Sequence, residues 1–72
     1  MKSNEVIRAA MAEDSLTQLD LAKKMGYETQ SYVGNTLNRK TDMKVAIFVR
    51  MMRAMGYDVI VRRGKTEFEV TE

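Results

Sequence analysis

The stretch Thr17-Gln18-Leu19-Asp20-Leu21-Ala22-Lys23-Lys24-Met25-Gly26 decides how the chain is read. Thr17 followed three residues on by Asp20 has capping-box spacing, in which hydroxyl and carboxylate each take a backbone N–H at a helix start. Leu16 and Leu21 occupy the positions of a hydrophobic staple around that cap. Leu21, Ala22 and Met25 recur at helical spacing and face inward, while Asp20, Lys23 and Lys24 face water. Gly26 suits the left-handed residue just past a helix end. The decamer predicts a short helix closed by a tight turn.

Downstream, Tyr27 is the expected apolar plug of the turn, and Thr29 is the expected cap of a third helix running to Lys40. Val33 and Leu37, four apart, give that helix an inward face. Gln30, Ser31, Gly34, Asn35 and Asn38 are polar or small and free to meet a partner. Two short helices joined at a glycine form a helix-turn-helix, whose second helix can enter the DNA major groove.

Further out, Ser3 is the expected cap of a first helix over Asn4–Glu13, with Val6, Ile7, Ala10 and Met11 as its stripe and Asp14-Ser15 as its break. A fourth helix, capped by Thr41 or Asp42, is expected to reach about Met55 before Gly56. Val45, Phe48, Val49, Met52 and Met55 share one side of it, with Ile47, Met51 and Ala54 adjoining. That arc is wider than a small core requires, so the C-terminal segment or a second subunit must cover the excess. Val59-Ile60-Val61 and Phe68-Glu69-Val70 flank Gly64-Lys65, a two-residue hairpin turn with glycine first. Closing it at Arg63 and Thr66 pairs Val61 with Phe68 and Val59 with Val70 on one face, and Arg62 with Glu67 on the other. A shift of one residue would scramble both faces. The expectation is a mainly α chain: four helices over residues 1–56, then a C-terminal β-hairpin over residues 57–72 packed on them.

Seventy-two residues hold one small domain with a modest core, so oligomerisation is the natural staple. With no Cys and no His there is neither a disulfide nor a thiolate or imidazole metal site. The longest apolar run, Val45 to Val49, is far short of the ~20 residues of a membrane span. The N-terminus turns polar at once, which predicts a cytoplasmic chain without a targeting segment. Net charge is +2 but uneven. Residues 1–28 carry four cations and five carboxylates, residues 29–65 eight cations and two, and residues 66–72 three Glu. A basic block beginning at the third helix is where phosphate contacts would lie, unless it merely solvates a surface.

These segments together resemble the lambda repressor/Cro-like, or XRE-like, helix-turn-helix family. The resemblance spans Val6 to Gly56 and is carried by Thr17-Gln18-x-x-Leu21-Ala22-x-x-Met25-Gly26, Thr29-Gln30-Ser31-Tyr32-Val33, Leu37-Asn38-Arg39-Lys40 and Ala54-Met55-Gly56. It implies that Gln18 binds a phosphate and that Gln30, Ser31 and Asn35 read bases. The chain departs from the pattern in a turn one residue longer than usual, and in Thr36 standing where an apolar residue is expected. Its small size is similar to that of phage or mobile-element regulators.

Side-chain chemistry agrees. The amides of Gln30 and Asn35 pair a donor with an acceptor, which suits bidentate contact with adenine, and the Ser31 hydroxyl can serve several base edges. Tyr32 packs on a thymine methyl, bonds a phosphate, or buttresses the turn. Gly34, costly inside a helix by about 1 kcal/mol relative to Ala, allows close approach either to DNA or to a neighbouring helix. Thr29, Asn38, Arg39, Lys40 and Lys44 are candidate phosphate contacts beside Gln18, with Asn38 equally suited to capping. Arg50 and Arg53 read as solvation of helix 4. Val59, Val61, Phe68, Val70 and Met51 are candidate dimerisation residues.

The expected partner is double-stranded DNA, bound by a homodimer acting as a repressor on a palindromic operator, without cofactor, membrane or small-molecule substrate. The alternative is a protein-interaction module, such as an antitoxin or inhibitor, that binds a protein partner through helix 4 or the hairpin edge. No constellation for catalysis is legible: the three Ser fall in cap or helix positions and no Gly-rich phosphate loop occurs.

Overall fold

A computed structural model describes all 72 residues. Four helices, α1 (Ser3–Glu13), α2 (Gln18–Lys24), α3 (Ser31–Asn38) and α4 (Val45–Ala54), precede an antiparallel hairpin, β1 (Val59–Arg63) and β2 (Thr66–Val70). About half of the residues are helical.

The α2 cap forms as the spacing predicts. Thr17 N donates to Asp20 Oδ2 at 2.8 Å, and Asp20 N donates to Thr17 Oγ1 at 3.1 Å. The Thr17 backbone bond, then its hydroxyl, then Lys23 and Lys24 hold the Asp20 carboxyl below its ordinary pKa, outweighing slight desolvation. The other three helices depart from expectation at their starts. At α1, Lys2 rather than Ser3 takes the cap position, because Glu5 Oε1 reaches back to accept Lys2 N. α3 begins at Ser31 with Gln30 at its cap and no side-chain cap bond, so Thr29 lies outside it, and it ends at Asn38 as Arg39 turns extended. α4 begins at Val45 behind an uncapping Lys44, not at Thr41 or Asp42. Met43 packs against the core, which draws the α3–α4 connection into an extended path.

Three helices end in the same way. Gly26 N donates to Lys23 O and Tyr27 N to Ala22 O, the paired bonds of a Schellman turn, with Gly26 at φ +92°. Gly56 and Tyr57 repeat this against Arg53 and Met52. A Met-Gly-Tyr tripeptide thus closes both α2 and α4. At α1 the same bonds run from Ser15 to Ala12 and from Leu16 to Met11, but Ser15 holds φ +53° without being a glycine. A left-handed conformation strains an L-residue by about 1–2 kcal/mol, partly offset by the greater backbone entropy glycine loses on folding. Ser15→Gly is therefore expected to stabilise the chain by about 0.5–1 kcal/mol, read as a rise of a few degrees in the thermal midpoint. A lower midpoint would contradict the strain.

The core comes from one stripe of each helix: Ile7, Ala10 and Met11; Leu21 and Ala22; Val33 and Leu37; Met51, Met52 and Met55. Only 12 of 72 residues are buried, so the single chain is thinly cored. The inward arc of α4 runs through half-buried Phe48 and buried Val49, Met51, Met52 and Met55, at helical spacing. Met51 is fully buried within its own chain, so it is not a dimerisation residue. Val45 opens α4 beside the extended connection and stays 64% exposed, outside the core it was expected to join.

The hairpin register is the expected one: Val59 opposite Val70, Val61 opposite Phe68, Arg62 opposite Glu67. Its base is tied to the helices. Val59 packs on the core, Arg50 Nε donates to Glu72 Oε1 at 2.9 Å, and Arg53 lies 3.9 Å from Glu69. Beyond the base the hairpin stands free, and Val61 and Phe68 are 53% and 66% exposed. The packing anticipated over residues 57–72 is thus confined to the base. No helix is long and apolar enough to cross a membrane.

Candidate nucleic-acid interface

The face that α3 leaves uncovered follows from the face it buries. Val33, Thr36 and Leu37 turn inward, which leaves Ser31, Asn35 and Asn38, at i, i+4 and i+7, in one exposed row. Gln30 is exposed at its head. Thr36 and Leu37 are both buried, so the polar Thr36 displaces nothing from the core.

Tyr32 lies half-buried, its ring stacked on Tyr27 with centroids 4.8 Å apart and planes 30° apart. Of its three readings, this geometry carries the buttress: the rings fix the entry of α3 relative to the α2 turn. Thr29 is exposed in the bend before α3. At the far end of α3, Arg8 Nη2 donates to Asn38 Oδ1 at 2.9 Å, and Asn4 Nδ2 donates weakly to Leu37 O at 3.5 Å. Asn38 is therefore held by α1, and its side chain does not cap α3.

Gly34 faces α2. A Cβ at this position would stand 2.9 Å from Gln18 Oε1, so the missing side chain is the space in which the Gln18 amide lies against α3. The Gln18 amide thus lies on α3 at Gly34, next in sequence to Asn35 of the exposed row. Gly34→Ala meets only the tip of a flexible side chain, so the amide is displaced while the helix gains up to about 1 kcal/mol. The expected result is unchanged or raised thermal stability; if the Gln18 amide meets DNA, affinity for it should fall about fivefold, the worth of one hydrogen bond. In a Gln18→Ala background the same change should cost nothing further. An additive loss there would show that the glycine works by direct approach to DNA.

Charge is sorted by the C-terminal carboxylates. Glu72 pairs with Arg50, Glu69 with Arg53, and Glu67 with Arg62 at 4.0 Å. Bonding to Glu72 and its charge raise the Arg50 pKa above its ordinary value. Arg50 and Arg53 therefore hold the hairpin base in place instead of merely solvating α4. Of the basic block, Arg39, Lys40 and Lys44 keep no carboxylate partner, and all three are exposed in the connection from α3 to α4; Arg63 and Lys65 are likewise unpaired at the hairpin tip.

Sequence reading missed Lys2, Ser3, Asn4 and Arg8 as neighbours of this region, since only the fold brings α1 beside the end of α3. No family model, characterised protein or solved structure matches the chain.

Proposed function

We propose that the chain is a sequence-specific DNA-binding transcriptional regulator of lambda repressor/Cro-like architecture, in which α2 and α3 form the helix-turn-helix. The observation that carries this reading is the exposed row Ser31, Asn35 and Asn38, flanked by Gln18 on one side and by unpaired Arg39, Lys40 and Lys44 at its end. Such a surface joins amides suited to base edges with cations suited to phosphates. Gln30, Ser31 and Asn35 read bases; Gln18, Arg39, Lys40 and Lys44 grip the backbone. Tyr32 serves as the support beneath them.

The regulator acts as a homodimer, and repression follows from occupying a palindromic operator. The support is the uncovered apolar upper face of the hairpin, Val61 and Phe68, on a chain with few buried residues. Val59 and Val70, half-buried at the base, carry that face down to the chain's own core. A palindromic site requires the two α3 helices of such a dimer about 34 Å apart, one turn of DNA.

The same uncovered face favours a second reading, a protein-interaction module such as an antitoxin, in which a different protein covers Val61 and Phe68. Amide mapping by NMR with a short duplex of arbitrary sequence separates the two. The regulator predicts shifts over residues 30–44 and at Gln18, leaving the hairpin still. Absence of any shift on DNA addition would remove DNA binding and leave the protein-interaction reading.

A further inference from the structure

We infer that a cleft of about 260 Å³ between the start of α1 and the α3–α4 connection is a phosphate site. As a seat for the DNA backbone it rests on the function proposed above; as a site for a phosphate group it stands on its own geometry. Its walls include Lys2, Ser3, Asn4, Arg39 and Lys40, with Thr36 at its floor. Three cations face one carboxylate, Asp42.

Two independent features point to an anion. The first is the end of α1. Its leading N–H groups have no partner inside the helix, and those of Ser3 and Asn4 make none of the structure's backbone bonds. Glu5 is occupied with Lys2 N, so it does not fill that place. Backbone donors and the helix dipole there favour negative charge. The second is Thr36, a polar side chain only 3% exposed that lines the cleft. Its hydroxyl makes none of the side-chain hydrogen bonds of the fold. Since no enclosed side-chain oxygen is left unpaired, the little surface Thr36 keeps includes that hydroxyl, open to the cleft. A buried hydroxyl held for a ligand also accounts for a polar residue at an inward position of α3.

The ligand is a phosphate oxygen, whether from a DNA backbone or from a free phosphate. The Arg8–Asn38 and Asn4–Leu37 bonds join α1 to the C-terminal end of α3, so the site lies beside the end of the exposed row. A backbone phosphate seated here would clamp the strand leaving the C-terminal end of α3.

The test titrates the full chain with inorganic phosphate at constant ionic strength, following backbone amides by NMR. A second arm uses duplex DNA. Saturable shifts at Ser3, Asn4, Thr36 and Thr41 are expected, with Kd on the order of 1 mM. Thr36→Val keeps the shape and should weaken phosphate about fivefold. Lys2→Gln, on the surface and safe for the fold, should lower the slope of log affinity against log salt for DNA by about one. Shifts that do not saturate, or that survive both substitutions, overturn the site. DNA binding that leaves these amides unmoved and Lys2→Gln neutral overturns its role on the backbone while sparing the regulator. Saturable phosphate binding by a chain that ignores DNA keeps the site and removes the regulator.

Discussion

Replacing Gln30 and Asn35 together by alanine is expected to erase sequence selection while leaving the chain folded and still attracted to DNA. Both side chains are exposed, and Gln30 makes no cap bond to α3. Their loss should change stability by no more than about 0.5 kcal/mol, the usual range for surface sites. Selection should suffer far more. A bidentate amide-to-adenine contact discriminates by about 1–3 kcal/mol, so the pair is expected to cost roughly 100-fold or more in preference for the operator over random duplex. The salt slope should hold steady, because Arg39, Lys40 and Lys44 remain to displace counterions. Competition binding against random duplex measures this directly. A double variant that still selects the same sequence would mean that α3 is not the reading helix.

The second large effect belongs to the hairpin. Val61→Asp with Phe68→Asp places carboxylates on a face that the single chain leaves open. The base should survive, held by Val59 on the core and by the Arg50–Glu72 pair. Sedimentation is expected to show a dimer for the unaltered chain at micromolar concentration and a folded monomer for the variant. Affinity for a full palindromic site should fall by about 10²–10⁴, the usual gain from joining two sites, while half-site affinity stays as it was. An unaltered chain that sediments as a monomer would remove the dimer, and the open face would then call for a different protein.

The fold was legible wherever a local rule acted alone. Thr17 with Asp20 specified the start of α2, Gly26 and Gly56 specified two ends, and the alternation around Gly64-Lys65 specified a register that a one-residue slip would have destroyed. It failed where tertiary contacts overrode local preference. Thr29, Thr41 and Asp42 are good caps, but Met43 had to reach the core and the stacked tyrosines set the entry of α3, so those helices start later. Met51 looked peripheral on a helical wheel, yet the axis of α4 turns it to the centre.

The candidate site divided in the same way. The exposed row followed from the spacing of Val33 and Leu37. The hairpin register did pair Arg62 with Glu67. Periodicity could not show that Gly34 makes room for Gln18, that Asn38 is held by Arg8, or that Glu72 and Glu69 claim Arg50 and Arg53. Each joins residues at least five positions apart in sequence across different elements, which no local pattern encodes.

Selection of bound duplexes from a random library, at one moderate salt concentration, separates sequence reading by α3 from attraction to phosphates. Enrichment of a palindrome whose half-sites lie about 10 base pairs apart is expected, as two α3 helices on one face of DNA require. Unselective binding that fades as salt is added would reveal phosphate attraction alone, and would contradict a sequence-reading regulator.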